Sequence, residues 1–428
     1  MESILVAAHT LGCKVNQCDT DAVLGRLAEI GCKICNFNDI ADIYIINTCT
    51  VTHAGDKKSR QVIRRARKQN PNAMVAVCGC MVQNNPASAK ELGVDFIFDA
   101  REPDDFVKTV SEMCADTECL ESHPTPPRTR TRAFVKIQDG CDRFCAYCIV
   151  PYVRGAPKSR LAQDILAEAA DLTANGVQEI VLTGIQVASY GKDTNTNLPK
   201  LIRQVSSLDG LTRLRLSSIE PCAIDDDFLA AVASSQVLCD HFHLSLQSGS
   251  NATLQRMNRH YTTDQYAATA ESLRKICPDV ALTTDIIIGF PGETDEEFNQ
   301  SLAFVQKIGF ARIHVFEYSK REGTTAADFP NQIPDKVKSE RSKQMRELAA
   351  QLQINFLRLQ IGKTVPVLFE TSKIPGRWLG YTSNYCPIEV NCEFHLSNTI
   401  KQVKITACTQ DGLAGVIQES GEVWGSAP

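Results

Sequence analysis

The stretch Cys141-Asp-Arg-Phe-Cys145-Ala-Tyr-Cys148 puts three thiols within eight residues. One rigid helix or strand cannot turn three such side chains onto a compact metal site, so this must be a loop that wraps around one. It follows a short apolar strand, Ala133 to Ile137, and a tight Asp139-Gly140. Three thiolates leave a four-iron cube one ligand short, unlike the four-cysteine spacings of electron-carrying clusters, so one iron stays open to something else. The chain holds 18 cysteines in 428 residues. No run of 18 apolar residues occurs, and no charged region followed by an apolar one opens the chain. A soluble, cytoplasmic protein with no membrane span is expected, its cysteines serving metal rather than disulfides. The length suggests about three domains. A formal net charge of −5 does not mark the whole chain as a nucleic-acid binder.

From residue 1 to 115, apolar runs alternate with helical patterns. Strands are expected at Ile4 to Ala8, Ile43 to Ile46, Met74 to Val77 and Phe96 to Phe98, with helices at Thr20 to Ile30 and Ala54 to Lys68. This alternation implies a doubly wound parallel sheet. Cys13, Cys49 and Cys80 each fall just past one of the first three strands. In an open parallel sheet those ends share one edge, where ligands sit, so three residues far apart in sequence can meet. Gly12 and Gly79 would let the backbone turn tightly there. Cys18, Cys32, Cys35, Cys78, Cys114 and Cys119 are read as bystanders. Cys32 and Cys35 form a C-x2-C before a loop, with no second pair. Cys78 should point into the fold.

The helix after Cys49 carries seven cations, Lys57, Lys58, Arg60, Arg64, Arg65, Arg67 and Lys68, against one acid, Asp56. Beside the cysteine edge of an acidic protein, such a run suits phosphates, most simply those of RNA. Pro124 to Pro127 reads as a linker. Arg128, Arg130 and Arg132 form a second basic patch that would line the same cleft.

From 128 to 360, six strands are expected: the one before Cys141, then Glu179–Thr183, Arg213–Ser217, His243–Leu246, Leu282–Ile288 and Ile313–Tyr318. Helices near Arg160–Asn175, Leu198–Ser207, Asp226–Ser234, Asp264–Lys275 and Asp295–Ile308 alternate with them. Such units curl into a full or partial barrel with chemistry at the strands' carboxyl ends. Those ends are rich in polar residues and glycine. Gly184, Ser218, Glu220, Gln247, Gly289 and Phe316 are the candidates to surround a small bound molecule. Glu220 would meet a ribose hydroxyl or an ammonium group, and Gly289 to Gly292 would let an adenine approach the backbone.

Lys136-Ile-Gln-Asp-Gly-Cys141 through Cys148-Ile-Val-Pro-Tyr-Val-Arg-Gly155 resembles the radical S-adenosylmethionine (SAM) methylthiotransferases. So do Leu244 to Ser250, Thr284 to Thr294, and the set Cys13, Cys49 and Cys80. Thr10-Leu-Gly-Cys-Lys-Val-Asn-Gln17 looks most like the branch acting on threonylcarbamoyladenosine in tRNA. Two residues depart from that branch: Cys18 stands where an aromatic is usual, and Glu317 replaces a proline. The resemblance implies two [4Fe-4S] clusters, one on Cys141, Cys145 and Cys148 and one on Cys13, Cys49 and Cys80. The first would pass an electron to SAM and release a 5′-deoxyadenosyl radical. The second would carry the sulfur that one SAM methylates before another starts the radical step. Carbon 2 of adenine has no acidic hydrogen and no leaving group, so acid–base groups alone cannot place sulfur there, whereas a cofactor-borne radical can. The implied partners are the tRNA anticodon loop, at position 37, an electron donor and a sulfur source, and a monomer is expected. Methylthiolation of isopentenyladenosine or of a ribosomal-protein aspartate are the rival enzyme readings. A non-enzymatic iron–sulfur protein would leave the polar rim unexplained.

From 361 to 428, after a helix from Asp335 to Leu359, short alternating strands are expected at Val365–Glu370, Trp378–Thr382, Cys386–Val390 and Gln402–Ala407. They read as a small β-barrel, and resemble the TRAM domain of RNA-modifying enzymes. Its charge is not basic, so RNA contact would rest on Tyr381, Asn384, Tyr385 and local cations.

Overall fold

Ile-Tyr-Ile-Ile-Asn-Thr, residues 43–48, is buried along its whole length, and the first sheet is built on both sides of it. The computed structural model of the protein describes residues 3–51, 53–115, 131–370, 372 and 374–418. Strands β1 (Leu5–Thr10), β2 (Lys33–Cys35), β3 (Ile43–Thr48), β4 (Met74–Gly79) and β5 (Phe96–Ile97) pair in the order β2-β1-β3-β4-β5, all parallel. Ile43 and Ile45 pack with Val23, Leu27 and Phe106 on one face, and Tyr44 and Ile46 with Ile63 and Ala66 on the other. A continuous apolar run is what a strand covered on both faces requires.

Helices α1 (Lys14–Glu29), α2 (His53–Gln69) and α3 (Cys80–Asn84) begin directly or within a few residues after β1, β3 and β4. Helix α1 starts six residues earlier than apolar periodicity suggests. Its first turns bury polar side chains, Asn16, Asp19 and Thr20, so no apolar stripe marks them. Strand β2 was not expected. It splits the C-x2-C pair, because residues three apart on a strand face opposite ways. Cys32 lies in the core with its Sγ 3.7 Å from that of Cys114, while the Cys35 thiol donates to the Val6 carbonyl. Cys78 is buried in the same core, as expected.

The second sheet system contains β6 (Arg132–Asp139), β7 (Lys158–Ser159), β8 (Glu179–Gly184), β9 (Arg213–Leu216), β10 (His241–His243), β11 (Ala281–Ile288) and β12 (Arg312–Glu317). Two sheets, β7-β6-β8-β9 and β10-β11-β12, are joined by the parallel bridges Leu214 to Leu238 and Ile219 to Leu244. Six strands run parallel, and the short β7 pairs antiparallel with β6. The result is a partial barrel with helices outside. Its strands alternate strictly. Val135, Leu182, Leu214, Phe242, Leu282 and Ile313 face the helices. By the two-residue period, Lys136, Glu179, Thr183, Arg215, His241, His243, Thr283, Asp285, Arg312 and His314 face the lumen, together with the apolar Phe134, Val181, Ile287 and Phe316. A closed eight-strand barrel fills its interior with branched apolar side chains, whereas most of the positions facing this lumen are polar. Helix α1 packs against β6 and β8.

The helix Asp335–Arg358 leads to β13 (Thr364–Phe369), β14 (Arg377–Thr382), β15 (Pro387–Asn391), β16 (Ile400–Cys408) and β17 (Leu413–Ile417), which close a barrel in the order β13-β14-β15-β17-β16. Strand β17, beyond the Asp411-Gly412 turn, adds a fifth strand to the four expected.

This small barrel plugs the floor of the larger one, which corrects two expectations. Tyr381 and Tyr385 stack on each other, with ring centroids 5.0 Å apart, and they do not present their faces to RNA. The Arg132 guanidinium lies 4.7 Å from the Tyr381 ring and that of Arg215 lies 4.5 Å from the Tyr385 ring. Asn384 is buried and donates to the Asp279 carbonyl and Gln360. Arg132 itself pairs with Glu179 and Glu370, so it belongs to this floor and not to an RNA cleft. Arg128, Arg130, Cys119 and the proline linker lie outside the described residues.

Candidate active site

Cys13, Cys49 and Cys80 follow β1, β3 and β4, three neighbours in the sheet. Gly12 has φ +102°, and a Cβ there would lie 3.2 Å from Cys49 Sγ. Gly79 has φ +90°, and a Cβ there would meet Asn47 Oδ1 at 2.3 Å and the Thr48 carbonyl at 2.5 Å. Glycine at both positions is what allows the three loops to close on one another. Asn16 ties two of them, since its Nδ2 donates to the Leu11 carbonyl at 2.9 Å and the Thr48 carbonyl at 3.1 Å. The three lie close enough together that, once ionised, their thiolates would repel one another. Burial pushes Cys80 up to about 11, partly offset by Arg154, and burial also raises Cys49.

The second triad sits on the loop between β6 and the helix Val150–Arg154. The Cys141 amide donates to the Gly155 carbonyl at 2.9 Å, which folds the loop back on itself. A Cβ on Gly140 would lie 2.0 Å from the Ala156 carbonyl oxygen, so only glycine fits this crossing. Burial raises Cys141 to about 11 and Cys148 to about 12. Thiols so placed are protonated at neutral pH, and an incoming metal must displace those protons. Arg259 Nη1 donates to Cys145 Sγ at 3.2 Å.

Neither triad reaches single-ion spacing. Among the described residues only His243, Asp285 and His314 bring three donor atoms within 4.8 Å. A four-iron cube holds its thiolates wider apart than one ion does, and three thiolates fit such a cube with one iron left open.

The two triads are neighbours. Cys80 packs against Ile149 and Val153, one residue beyond Cys148 and within the next helix. Arg154, on that helix, donates to Asp19 at 2.9 Å, to Asp139 at 3.0 Å, and to Asn16. Lys136 bonds Asp19 from β6. On the far side Arg321 donates to Asp56 at 2.7 Å and to Thr50 at 2.9 Å, which fixes the Cys49 loop to the barrel. Sequence reasoning missed these arginines, because one Arg in a loop is indistinguishable from a surface charge until its partners are known.

The other candidates all lie at the carboxyl ends of β8 to β12. Gly184 abuts the Gln138 carbonyl, 3.0 Å from a built Cβ. Ser218 is exposed. Glu220 is held by Arg143 at 2.8 Å and Arg259 at 2.9 Å. It therefore anchors the arginine beside Cys145 and already has two cationic partners. Gln247 takes a left-handed φ of 69°, a strained conformation for its residue type. Phe316 is 47% exposed on β12. Gly289 departs from expectation. The aliphatic stem of Lys338 covers it, 2.2 Å from a built Cβ, so nothing as large as an adenine reaches the backbone there while Lys338 stays in place.

Between the triads and the floor lies Lys14, the residue after Cys13. Its ammonium stands 5.8 Å from the Phe134 ring on the lumen side of β6. Burial lowers its pKa, with Arg215 and Arg132 adding to the effect and Glu179 opposing it, although the side chain keeps solvent access. A group that is ringed by protein and yet wet lies inside an open lumen.

A partial barrel carrying this loop, joined to a doubly wound sheet with a second thiol triad, defines a radical SAM enzyme with an auxiliary cluster site. Residues 135–305 match the Radical SAM superfamily, and residues 5–99 match the uncharacterized protein family UPF0004. The chain is 37% identical to the threonylcarbamoyladenosine tRNA methylthiotransferase MtaB of Bacillus subtilis (strain 168), over 94% of this chain and 93% of that one. It is 36% identical to the tRNA-2-methylthio-N(6)-dimethylallyladenosine synthase of Caldicellulosiruptor saccharolyticus, over 95% and 91%. The chain belongs to the radical SAM methylthiotransferase family. Its fold resembles that of the radical SAM methyltransferase TsrM from Kitasatospora setae, with a TM-score of 0.56 at 15% identity over 76% of this chain and 77% of that one.

Proposed function

We propose that the protein converts N6-threonylcarbamoyladenosine in tRNA, at position 37 beside the anticodon, to its 2-methylthio derivative. The observation that carries this reading is the pairing of two three-thiol sites across the Cys80, Ile149 and Val153 contact. Two iron–sulfur clusters and SAM, when bound, supply the radical and the sulfur. Cys141, Cys145 and Cys148 would hold one cluster, and Cys13, Cys49 and Cys80 the other. On this reading the chain divides into 1–115, 128–360 and 361–428.

The chain's own residues would orient and shield the reaction. Gly184, Ser218, Glu220, Gln247 and Phe316 would form the rim that holds SAM, and Arg259 keeps a donor on the Cys145 sulfur. An unstacked base suits this mouth. Phe144 and Tyr152, 50% and 56% exposed, meet edge to face with centroids 5.6 Å apart beside the triple-cysteine loop. Such rings stack on splayed loop bases. On α2, Lys57, Lys58, Arg64, Arg65 and Lys68 are exposed for phosphates, whereas Arg67 is committed to Asp95 and three backbone carbonyls. No helix among the described residues is long and apolar enough to cross a membrane. A tRNA substrate would be met in the cytoplasm.

Nucleoside analysis of tRNA from cells with and without the gene tests the reading. Loss of the 2-methylthio-threonylcarbamoyl nucleoside is expected. An unchanged nucleoside profile with an altered ribosomal-protein mass would reverse it. Removing either cysteine triad should cost about four of eight irons in protein purified without oxygen.

A further inference from the structure

Relatives at 37% and 36% identity are named for substituents of opposite character. Threonylcarbamoyl ends in a carboxylate, and dimethylallyl is a neutral hydrocarbon. Overall identity does not separate them, but the lumen does.

A hydrocarbon tail needs an apolar pocket. The lumen beside Phe134 instead presents Lys14, His243, Asp285, His314 and Arg312. Of its carboxylates, Glu179 is shared by Arg132, Arg213 and Arg215, and Asp285 lies 3.2 Å from His243 Nε2 without a hydrogen bond to it. Lys14 Nζ makes no hydrogen bond or ion pair among the described residues. The side chain is exposed, so its ammonium stays charged in a wet lumen and is available to an anionic ligand by a charge-assisted hydrogen bond. Its position is also fixed by the chain: Lys14 is one peptide from Cys13, and its stem runs from that triad down into the lumen over Phe134. A base presented to the Cys13 triad thus has its substituent within the reach of this side chain.

We infer that Lys14 binds the carboxylate of the threonylcarbamoyl group and so selects the anionic substrate. This rests on the function proposed above. Lys14 acts by charge-assisted hydrogen bonding to the substrate, and takes no part in the sulfur chemistry.

The test uses anticodon stem-loop RNAs carrying threonylcarbamoyladenosine, its carboxamide analogue, or unmodified adenosine. Dissociation constants are read by fluorescence anisotropy on iron-loaded protein, and methylthio product by mass spectrometry. Wild-type protein should bind the carboxylate RNA about tenfold to hundredfold more tightly than the carboxamide, the range for a hydrogen bond to a charged group. Lys14→Met should bind both equally, and Lys14→Arg should restore part of the preference. Iron and sulfide content reports whether the neighbouring triad is intact, and the wild-type comparison needs no mutant at all. Equal binding of the two RNAs by wild-type protein that still methylthiolates the carboxylate RNA would overturn the inference and leave the function standing. So would a preference retained in iron-replete Lys14→Met. Absence of product from the carboxylate RNA on wild-type protein would sink the function, and the inference with it.

Discussion

Arg154 Nη1 donates to Asp19 Oδ2 at 2.9 Å, with each side chain only 2% exposed. This bond joins the helix that begins after Cys13 to the helix that follows Cys148. It therefore sets the distance between the two triads. Arg154→Gln leaves the buried Asp19 and the partly buried Asp139 with Lys136 as their one remaining cationic partner among the described residues. Breaking one side of a buried pair costs about 3–5 kcal/mol, and the lowered unfolding midpoint should be plain in a denaturant titration. An unchanged midpoint would mean that the bond does not weld the two halves.

Arg259 donates to Cys145 Sγ while Glu220 holds its other side. A cation and an N–H on a cluster sulfur stabilise the reduced state. Arg259→Gln should therefore make the cluster on Cys141, Cys145 and Cys148 harder to reduce. A charged hydrogen bond of about 1.5–3 kcal/mol corresponds to a midpoint more negative by on the order of 60 mV or more for one electron. Electron paramagnetic resonance during a redox titration reads this shift, and a midpoint that stays put or rises would refute the role.

Much of this was legible because strand ends in parallel sheets share an edge. Cys13, Cys49 and Cys80 could be assigned to that edge from position alone. The triple-cysteine loop and six barrel strands also follow from spacing and apolar runs. What the sequence hid were pairings between distant polar residues. Asp19 reads as a solvated helix charge until Arg154 and Lys136 are seen beside it. Tyr385 reads as a base-stacking ring until Arg215 is found on its face. Gly289 reads as an opening because Lys338, 49 residues later, has no local mark of where its stem lies. Strand β2 is three residues long, too short for a period to show.

Helix α2 offers a test of RNA contact that does not depend on chemistry. Each phosphate neutralised on a single-stranded loop contributes about 0.7 to the slope of log affinity against log salt. Lys57, Lys58 and Arg64 are exposed on α2 and make no ion pair among the described residues. Changing all three to Gln should reduce the slope for tRNA binding by up to about 2, with weaker binding at low salt. A slope equal to that of the wild type would assign the helix a solvated face and no more.

His241 makes stability depend on pH in a defined window. Burial lowers its pKa well below the usual value, and Arg215, His243, Lys14 and Arg312 add to this in turn. Its Nε2 lies 3.1 Å from Thr283 Oγ1, and the Tyr385 ring packs 5.1 Å away. The unfolded chain takes up a proton near pH 6.5, whereas the folded protein keeps this ring neutral to lower pH. The unfolded state thus binds more protons below pH 6.5, and stability falls as pH falls. The loss from this residue is about 1.4 kcal/mol per pH unit until the folded ring titrates. Glu179 acts in a lower window. Burial alone would raise its pKa, but Arg215, Arg132 and Arg213 together lower it, so its stabilisation persists until the pH drops through the carboxylate range. Thermal unfolding from pH 7 to 5.5 should show a falling midpoint in wild-type protein and a flatter profile in His241→Gln. Parallel profiles for the two proteins would show that the ring is not held neutral by the lumen floor.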